Sequence, residues 1–247
     1  MKTIRVRNKN VLWELLNAGK SFEKIIVVDN LKKDVLTQKI LSVAKKQGIA
    51  IERTPYHQME RGRAGDSREV ILGRLMIEDD WSLDELLADL YNHKQSPFFL
   101  LLHRVTYPNN IGLIVRTAFA AGVNGLFYQG EKEFFLNEET FHLSMGTVAR
   151  IPWVKLNIFT TLNELKKNGI KTFSLEMAGK SYFATDLTGP VAFVLGDERE
   201  GLSETVATRC DQKLAIPMQP GLDSLNVSAS AAIVLFEKVR QEKISTP

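Results

Sequence analysis

The chain has one cysteine, Cys210, among its 247 residues. An intrachain disulfide is therefore impossible, and so is a zinc site built from cysteines. No apolar run approaches the roughly 18 residues of a membrane span. The opening MKTIRVRNKN is charged, with no apolar stretch behind it, so no signal peptide is expected. His57, His93, His103 and His142 are the only histidines and show no metal-ligand spacing. Neither a GxxxxGKS/T phosphate loop nor a GxGxxG dinucleotide fingerprint occurs, which speaks against a nucleotide-dependent dehydrogenase. Internal repeats and low-complexity tracts are also lacking. Cytoplasm is the expected location, with no metal and no membrane partner.

What is present is an ordinary globular composition, 44% hydrophobic and 25% charged. At about 100–200 residues per domain, the length suggests one or two domains. The net charge of +3 is unevenly spread. Residues 1–76 hold 16 Lys+Arg against 8 Asp+Glu, a net +8. Residues 77–93 hold 6 acids and no Lys or Arg. Residues 97–247 balance at 15 against 15. The basic first segment suggests a polyanionic partner, most simply nucleic acid. A merely solvated basic surface is the other reading.

Helices and strands alternate along the chain. VLWELLNAG has Val11, Leu12, Leu15 and Leu16 at helical spacing, and KIIVVDN is a β-branched strand. LKKDVLTQKILSVAKKQG predicts a helix with Val35, Leu36, Ile40, Val43 and Ala44 on one side. These elements form a small α/β domain that ends before Trp81; the acidic stretch from Glu78 to Asp89 then leads through HKQSP as a linker, with the boundary placed near residues 92–97. Domains at 1–94 and 95–247 follow. In the second, SPFFLLLHRV is a strand apolar enough for burial on both faces. GLIVRTAFAAG, TTLNELKKNG, SETVATRC and the segment 224–243 predict helices, and GLFYQ, KTFSLEM, PVAFVLG and KLAIPM predict strands. This is an α/β pattern with a mostly parallel sheet covered on both sides. Ligands of such sheets sit at the carboxyl ends of strands. The strand-to-helix loops are therefore the places to search.

Three loops carry unusual polar content. In YPNNIGLIVRTAFAAGV, Asn110 suits an N-cap, and Arg116 sits one and a half turns into the helix. Arg116 is either a bidentate ligand for phosphate or carboxylate, or a surface arginine with a snorkelling stem. In VAFVLGDEREGLSE, Gly196 permits close approach of a ligand, and Asp197, Glu198 and Glu200 can accept hydrogen bonds. The plain reading is an acidic turn. In AIPMQPGLDSLNVSAS, several polar residues follow where capping needs only one.

Together these loops resemble the SpoU (TrmH-like) family of RNA ribose 2′-O-methyltransferases, within the SPOUT class. Asn110-x5-Arg116-Thr117-Ala118 resembles the family's first motif. Gly196-Asp-Glu198-x-Glu-Gly201-Leu202-Ser203 resembles the second. Ile216-Pro-Met218 with Ser224-Leu-Asn226-Val-Ser228 resembles the third. The likeness covers roughly Phe98 to Glu242, and residues 1–76 resemble the L30e-like RNA-binding domain found beside many relatives. One departure is Tyr107, where many relatives carry an acid.

The resemblance implies a C-terminal SPOUT domain with a parallel sheet and a deep trefoil knot, plus a small N-terminal α/β domain of L30e-like type. It implies a homodimer packed partly through the last helix. It implies S-adenosylmethionine (SAM) as cofactor, held by Leu195, Gly196, Gly201, Ile216, Met218, Leu225 and Asn226. The implied catalytic set is Arg116, Asn110, Glu198, Ser224 and Asn226. Arg116 would orient the ribose hydroxyl together with a substrate phosphate. Asn110, Ser224 and Asn226 would hold the ribose or Arg116, and Glu198 would order the site by pairing with an arginine. Large-subunit (23S) ribosomal RNA is the first choice of substrate and tRNA the second. A non-catalytic RNA-binding protein of the same fold is the reading from another class.

Overall fold

A computed structural model describes residues 2–29, 34–59, 70–155, 157–221 and 224–245. Two compact units emerge, residues 1–79 and 80–247.

The first unit contains β1 (Thr3–Val6), α1 (Lys9–Asn17), β2 (Phe22–Val28), α2 (Val35–Lys46), β3 (Ala50–Thr54) and β4 (Ile71–Met76). The sheet order is β1-β4-β2-β3; β2 and β3 are parallel and the other neighbours antiparallel. Asn8 caps α1 by accepting from the N–H groups of Asn10 and Val11. The helix buries Val11, Leu12, Leu15 and Leu16, as its spacing predicts. In α2 the expected apolar face is shifted. Ile40 and Ala44 are buried, but Val35 is 73% exposed and Thr37 is buried instead. Asp34 explains this. It caps α2, and its carboxylate accepts from both the N–H and the hydroxyl of Thr37. Thr37 can then enter the core with its polar groups satisfied. Residues 31–33 of the predicted helix lie outside the described residues.

The second unit begins with α3 (Leu83–Asn92), started by a reciprocal Ser82–Glu85 capping box. There follow β5 (Phe98–Leu102), α4 (Pro108–Ala121), β6 (Gly125–Tyr128), α5 (Lys132–Phe135), α6 (Glu138–Leu143), β7 (Trp153–Lys155), α7 (Ile158–Lys167), β8 (Lys171–Ser181), β9 (Val191–Leu195), α8 (Glu204–Ala207), β10 (Gln212–Ala215) and α9 (Val227–Ser245). The six strands lie in the order β10-β8-β9-β5-β6-β7, and every neighbouring pair is parallel. All five residues of β5 are buried, and so are all five of β9. Alternation sends Phe99 and Leu101 to one face, where they pack with Leu86, Leu87 and Leu90 of α3 and with Leu162 and Leu165 of α7. Phe98 points to the other face, where Lys238 of α9 lies over its ring at 5.6 Å.

This core moves the domain boundary. The acidic stretch does not act as a linker, because α3 supplies three buried leucines to the second unit. The division falls after residue 79 rather than after residue 94. The acids of α3 face outward while its leucines face in. Asp80 helps fix the entry by accepting from the Tyr128 hydroxyl (2.6 Å) and pairing with Lys132 (2.7 Å).

Candidate functional site

Strands β10, β8, β9 and β5 are consecutive neighbours, and their carboxyl ends release the loops that matter. The first loop leaves β5 and enters α4. Pro108 occupies the first turn of that helix, and Tyr107 is the N-cap residue. Asn110 is therefore inside the helix and not its cap. Pro108 explains the earlier start, since its fixed φ suits the first helical position. Arg104, in this same loop, has φ 64°. A non-glycine residue in that region stores about 1–3 kcal/mol of strain. Its guanidinium lies 3.7 Å from Glu200 of the second loop.

The second loop leaves β9 and folds back on itself. Asp197 and Gly201 exchange backbone hydrogen bonds of 3.0 and 2.9 Å. The Asp197 carboxylate accepts from the N–H groups of Arg199 and Glu200, which holds its pKa below the usual carboxylate range. The tight return accounts for Gly196. A Cβ there would meet the backbone of Gly201 at 2.3 Å and that of Leu202 at 2.5 Å. The loop's own backbone therefore already requires glycine at position 196, which also lines the cavity described below.

The third loop leaves β10 and reaches α9. The helix starts at Val227, three residues later than the polar run suggests, so Ser224 lies outside it. Asn226 performs the capping: its side chain accepts from the N–H of Ser228 (2.8 Å), and its carbonyl accepts from Ser230. Residues 222 and 223 of this loop lie outside the described residues.

A one-way chain of hydrogen bonds joins the three loops. The Ser228 hydroxyl donates to Asn226 Oδ1 at 2.6 Å. Asn226 Nδ2 donates to Asn110 Oδ1 at 3.0 Å. Asn110 Nδ2 donates to Glu198 Oε1 at 3.2 Å. Glu198 also accepts from the backbone N–H groups of Thr106 and Tyr107. The expected arginine partner of Glu198 is thus replaced by the first loop's backbone and Asn110. The direction of the chain fixes both amide orientations.

Beside this chain lies a cavity of about 380 Å³. That is within the range of roughly 300–1,000 Å³ typical of small-molecule sites. Leu195, Gly196, Gly201, Ile216, Met218 and Leu225 all line it, together with Glu198 and Ser224. Asn226, Asn110 and Arg116 do not. Arg116 is exposed on α4 and makes no hydrogen bond or ion pair among the described residues.

The sequence pattern did not reveal one wall, formed by Leu175, Glu176, Met177 and Ala178 of β8. Ser174 pairs with Lys213 of β10, but the next residue of β10, Leu214, pairs with Lys180. Residues 175–179 therefore leave the ladder and cover the cavity. The signal was present as Ala178-Gly179 inside a strand, where glycine often marks a bulge. A Cβ at Gly179 would meet the Lys213 carbonyl oxygen at 2.7 Å. The half-buried Glu176 carboxyl has its pKa pushed up, first by desolvation. Among the described residues, no group of three or more His, Cys, Asp or Glu is placed to hold a metal ion. No helix among them is long and apolar enough to cross a membrane.

The arrangement defines a class: a parallel-sheet domain whose strand-end loops enclose a mixed apolar and acidic cleft beside an amide relay. Residues 97–236 match the SpoU rRNA Methylase family, and the chain belongs to it. It is similar to the 23S rRNA (guanosine-2′-O-)-methyltransferase RlmB of Haemophilus influenzae, with 31% identity across 89% of this chain and 91% of that one. It is 29% identical to the putative TrmH family tRNA/rRNA methyltransferase YacO of Bacillus subtilis, across 96% and 95% of the two chains. The SpoU methyltransferase AviRb from Streptomyces viridochromogenes, solved with AdoMet, superposes with a TM-score of 0.79 over 98% of this chain and 92% of that chain. At 21% identity, that likeness concerns the fold.

Proposed function

We propose that this protein methylates a ribose 2′-hydroxyl of structured RNA, with SAM as methyl donor and 23S ribosomal RNA as substrate. The observation that carries this reading is the relay Ser228–Asn226–Asn110–Glu198, which locks three motif loops of the family beside one cleft. The cleft fits the cofactor in size, in its apolar walls of Leu195, Ile216 and Leu225, and in its unsatisfied acid. Bound there, SAM supplies an electrophilic methyl carbon.

The chain's own residues then position and exclude. Glu198 accepts from two backbone N–H groups and one amide, so it holds the first loop in place. Asn226 and Asn110 have their amide oxygens committed, which fixes the rim next to the cleft. Arg116 has its planar fork unspent, and a guanidinium of that kind suits an RNA phosphate. It orients the target nucleotide by that grip. A guanidinium offers donors and no acceptor, so its part here is grip and not proton removal. Holding reactants in register is the main contribution open to such a site.

The substrate follows from extent. The RlmB relative matches across 89% of this chain, a span that includes parts of both units. The first unit carries 16 Lys+Arg against 10 Asp+Glu, a net +6 suited to RNA phosphates. The homodimer reading draws support from Leu113 of α4 and Phe236 of α9, both large, apolar and exposed. A trefoil knot in the C-terminal segment and a cytoplasmic location belong to the same reading.

The test is methyl transfer from labelled SAM to 23S rRNA and to tRNA, with the product mapped at nucleotide level. Label on a ribose 2′-oxygen of 23S rRNA is expected. Label on tRNA alone would replace the substrate, and label on neither would leave an RNA-binding protein without the activity.

A further inference from the structure

The cleft contains four acids, and three of them are accounted for. Asp197 closes its own turn, Glu198 anchors the first loop, and Glu200 faces Arg104. Glu176 is different. Its Oε1 is buried and has no hydrogen-bond partner among the described residues. Lys213, the cation whose charge acts on it, is engaged with Glu204 at 2.7 Å. The carboxyl sits on the excursion of β8, which lines the cleft. Glu176 is half-buried, but an oxygen such as this Oε1, cut off from water without a donor, is costly. A group kept in that state on a cavity wall is explained by a ligand that completes it.

We propose that Glu176 binds the cationic α-amino group of the amino-acid portion of SAM. This inference rests on the cofactor reading above. The choice among SAM's groups follows from charge and donors. A desolvated carboxylate gains most from a partner that both carries positive charge and donates N–H. The sulfonium is positive but has no hydrogen to donate. The adenine amine and ribose hydroxyls donate but are neutral. Only the ammonium does both. The acidic excess of the cleft, four acids against Arg199, favours the same cationic end.

The experiment is calorimetric titration of the full chain and of Glu176→Gln with three probes: SAM, S-adenosylhomocysteine and 5′-methylthioadenosine. The third keeps adenine, ribose and sulfur but lacks the amino acid. Glutamine keeps the shape and loses the charge. Affinity for the first two should fall about 10–100-fold, the size of a missing charge-assisted hydrogen bond. Affinity for 5′-methylthioadenosine should stay within about twofold, which also shows that the variant's cleft is intact. An equal loss for all three would overturn the assignment, as would no loss for any. If the unaltered chain binds none of the probes, the cofactor reading itself fails and takes this inference with it.

Discussion

The two units solve different problems with similar parts. The first has a mixed four-stranded sheet, a net charge of +6 and an edge strand, β3, whose first four residues are exposed. The second has an all-parallel six-stranded sheet, 16 Lys+Arg against 19 Asp+Glu, and the cleft. A parallel sheet buried on both faces leaves its strand ends as the natural place for polar chemistry. A small basic unit offers charge. On the proposed reading, grip on a polyanion and precision at a reacting atom are separable, and each is tested by perturbing one unit and reading the other.

The sharpest way to break this division is by truncation. Removing residues 1–79 should leave a folded second unit, because that unit has its own core. Removing residues 1–94 should not. It strips Leu86, Leu87 and Leu90 from the core, and truncating even one such leucine costs about 2–5 kcal/mol. Against a typical total of about 5–15 kcal/mol, the loss is fatal. Thermal melts of the two truncations check this. Equal midpoints would restore the linker reading of α3.

The next effect is catalytic. Arg116→Ala should lower methyl transfer by about 10²-fold, the cost of misplacing the reacting nucleotide, while SAM affinity stays unchanged, since the residue lies outside the cleft. Steady-state kinetics paired with calorimetry separates the two. Lysine should rescue poorly, because it lacks the planar fork. Near-normal turnover in Arg116→Ala would remove the residue from the site.

A smaller effect distinguishes loop from ligand. Gly196→Ala places a Cβ against the Gly201 backbone, so it should cost about 1–3 kcal/mol of stability and weaken SAM binding together. Weaker binding with an unchanged melting midpoint would mean that the ligand, and not the loop, needs the glycine.

Burial on two faces leaves an unbroken apolar signature such as Phe98–Leu102, which made five of the six parallel strands and four of the helices readable, while the three-residue edge strand β7 (Trp153–Lys155) was too short to announce itself. The three motif loops were equally legible, since polar residues at strand ends have few structural uses. What escaped was set by distance in sequence. Glu198 finds its partners at Thr106, Tyr107 and Asn110, which no local pattern announces. Gly196 packs against the Gly201 backbone, and only the folded loop reveals it. The cleft wall at residues 175–178 depends on a register break against β10. Helix α3 was hidden by its own acids, which dominate its composition while its leucines do the packing.

The separation of grip from chemistry is tested most directly by RNA affinity across a salt series, measured for the full chain and for residues 80–247. Each RNA phosphate that the shorter chain no longer neutralises should make the slope of log affinity against log salt shallower by about 0.7–0.9. The account predicts a shallower slope and weaker RNA binding for the truncation, with SAM affinity unchanged. Parallel slopes and equal RNA affinities would contradict it and place the RNA grip in the second unit.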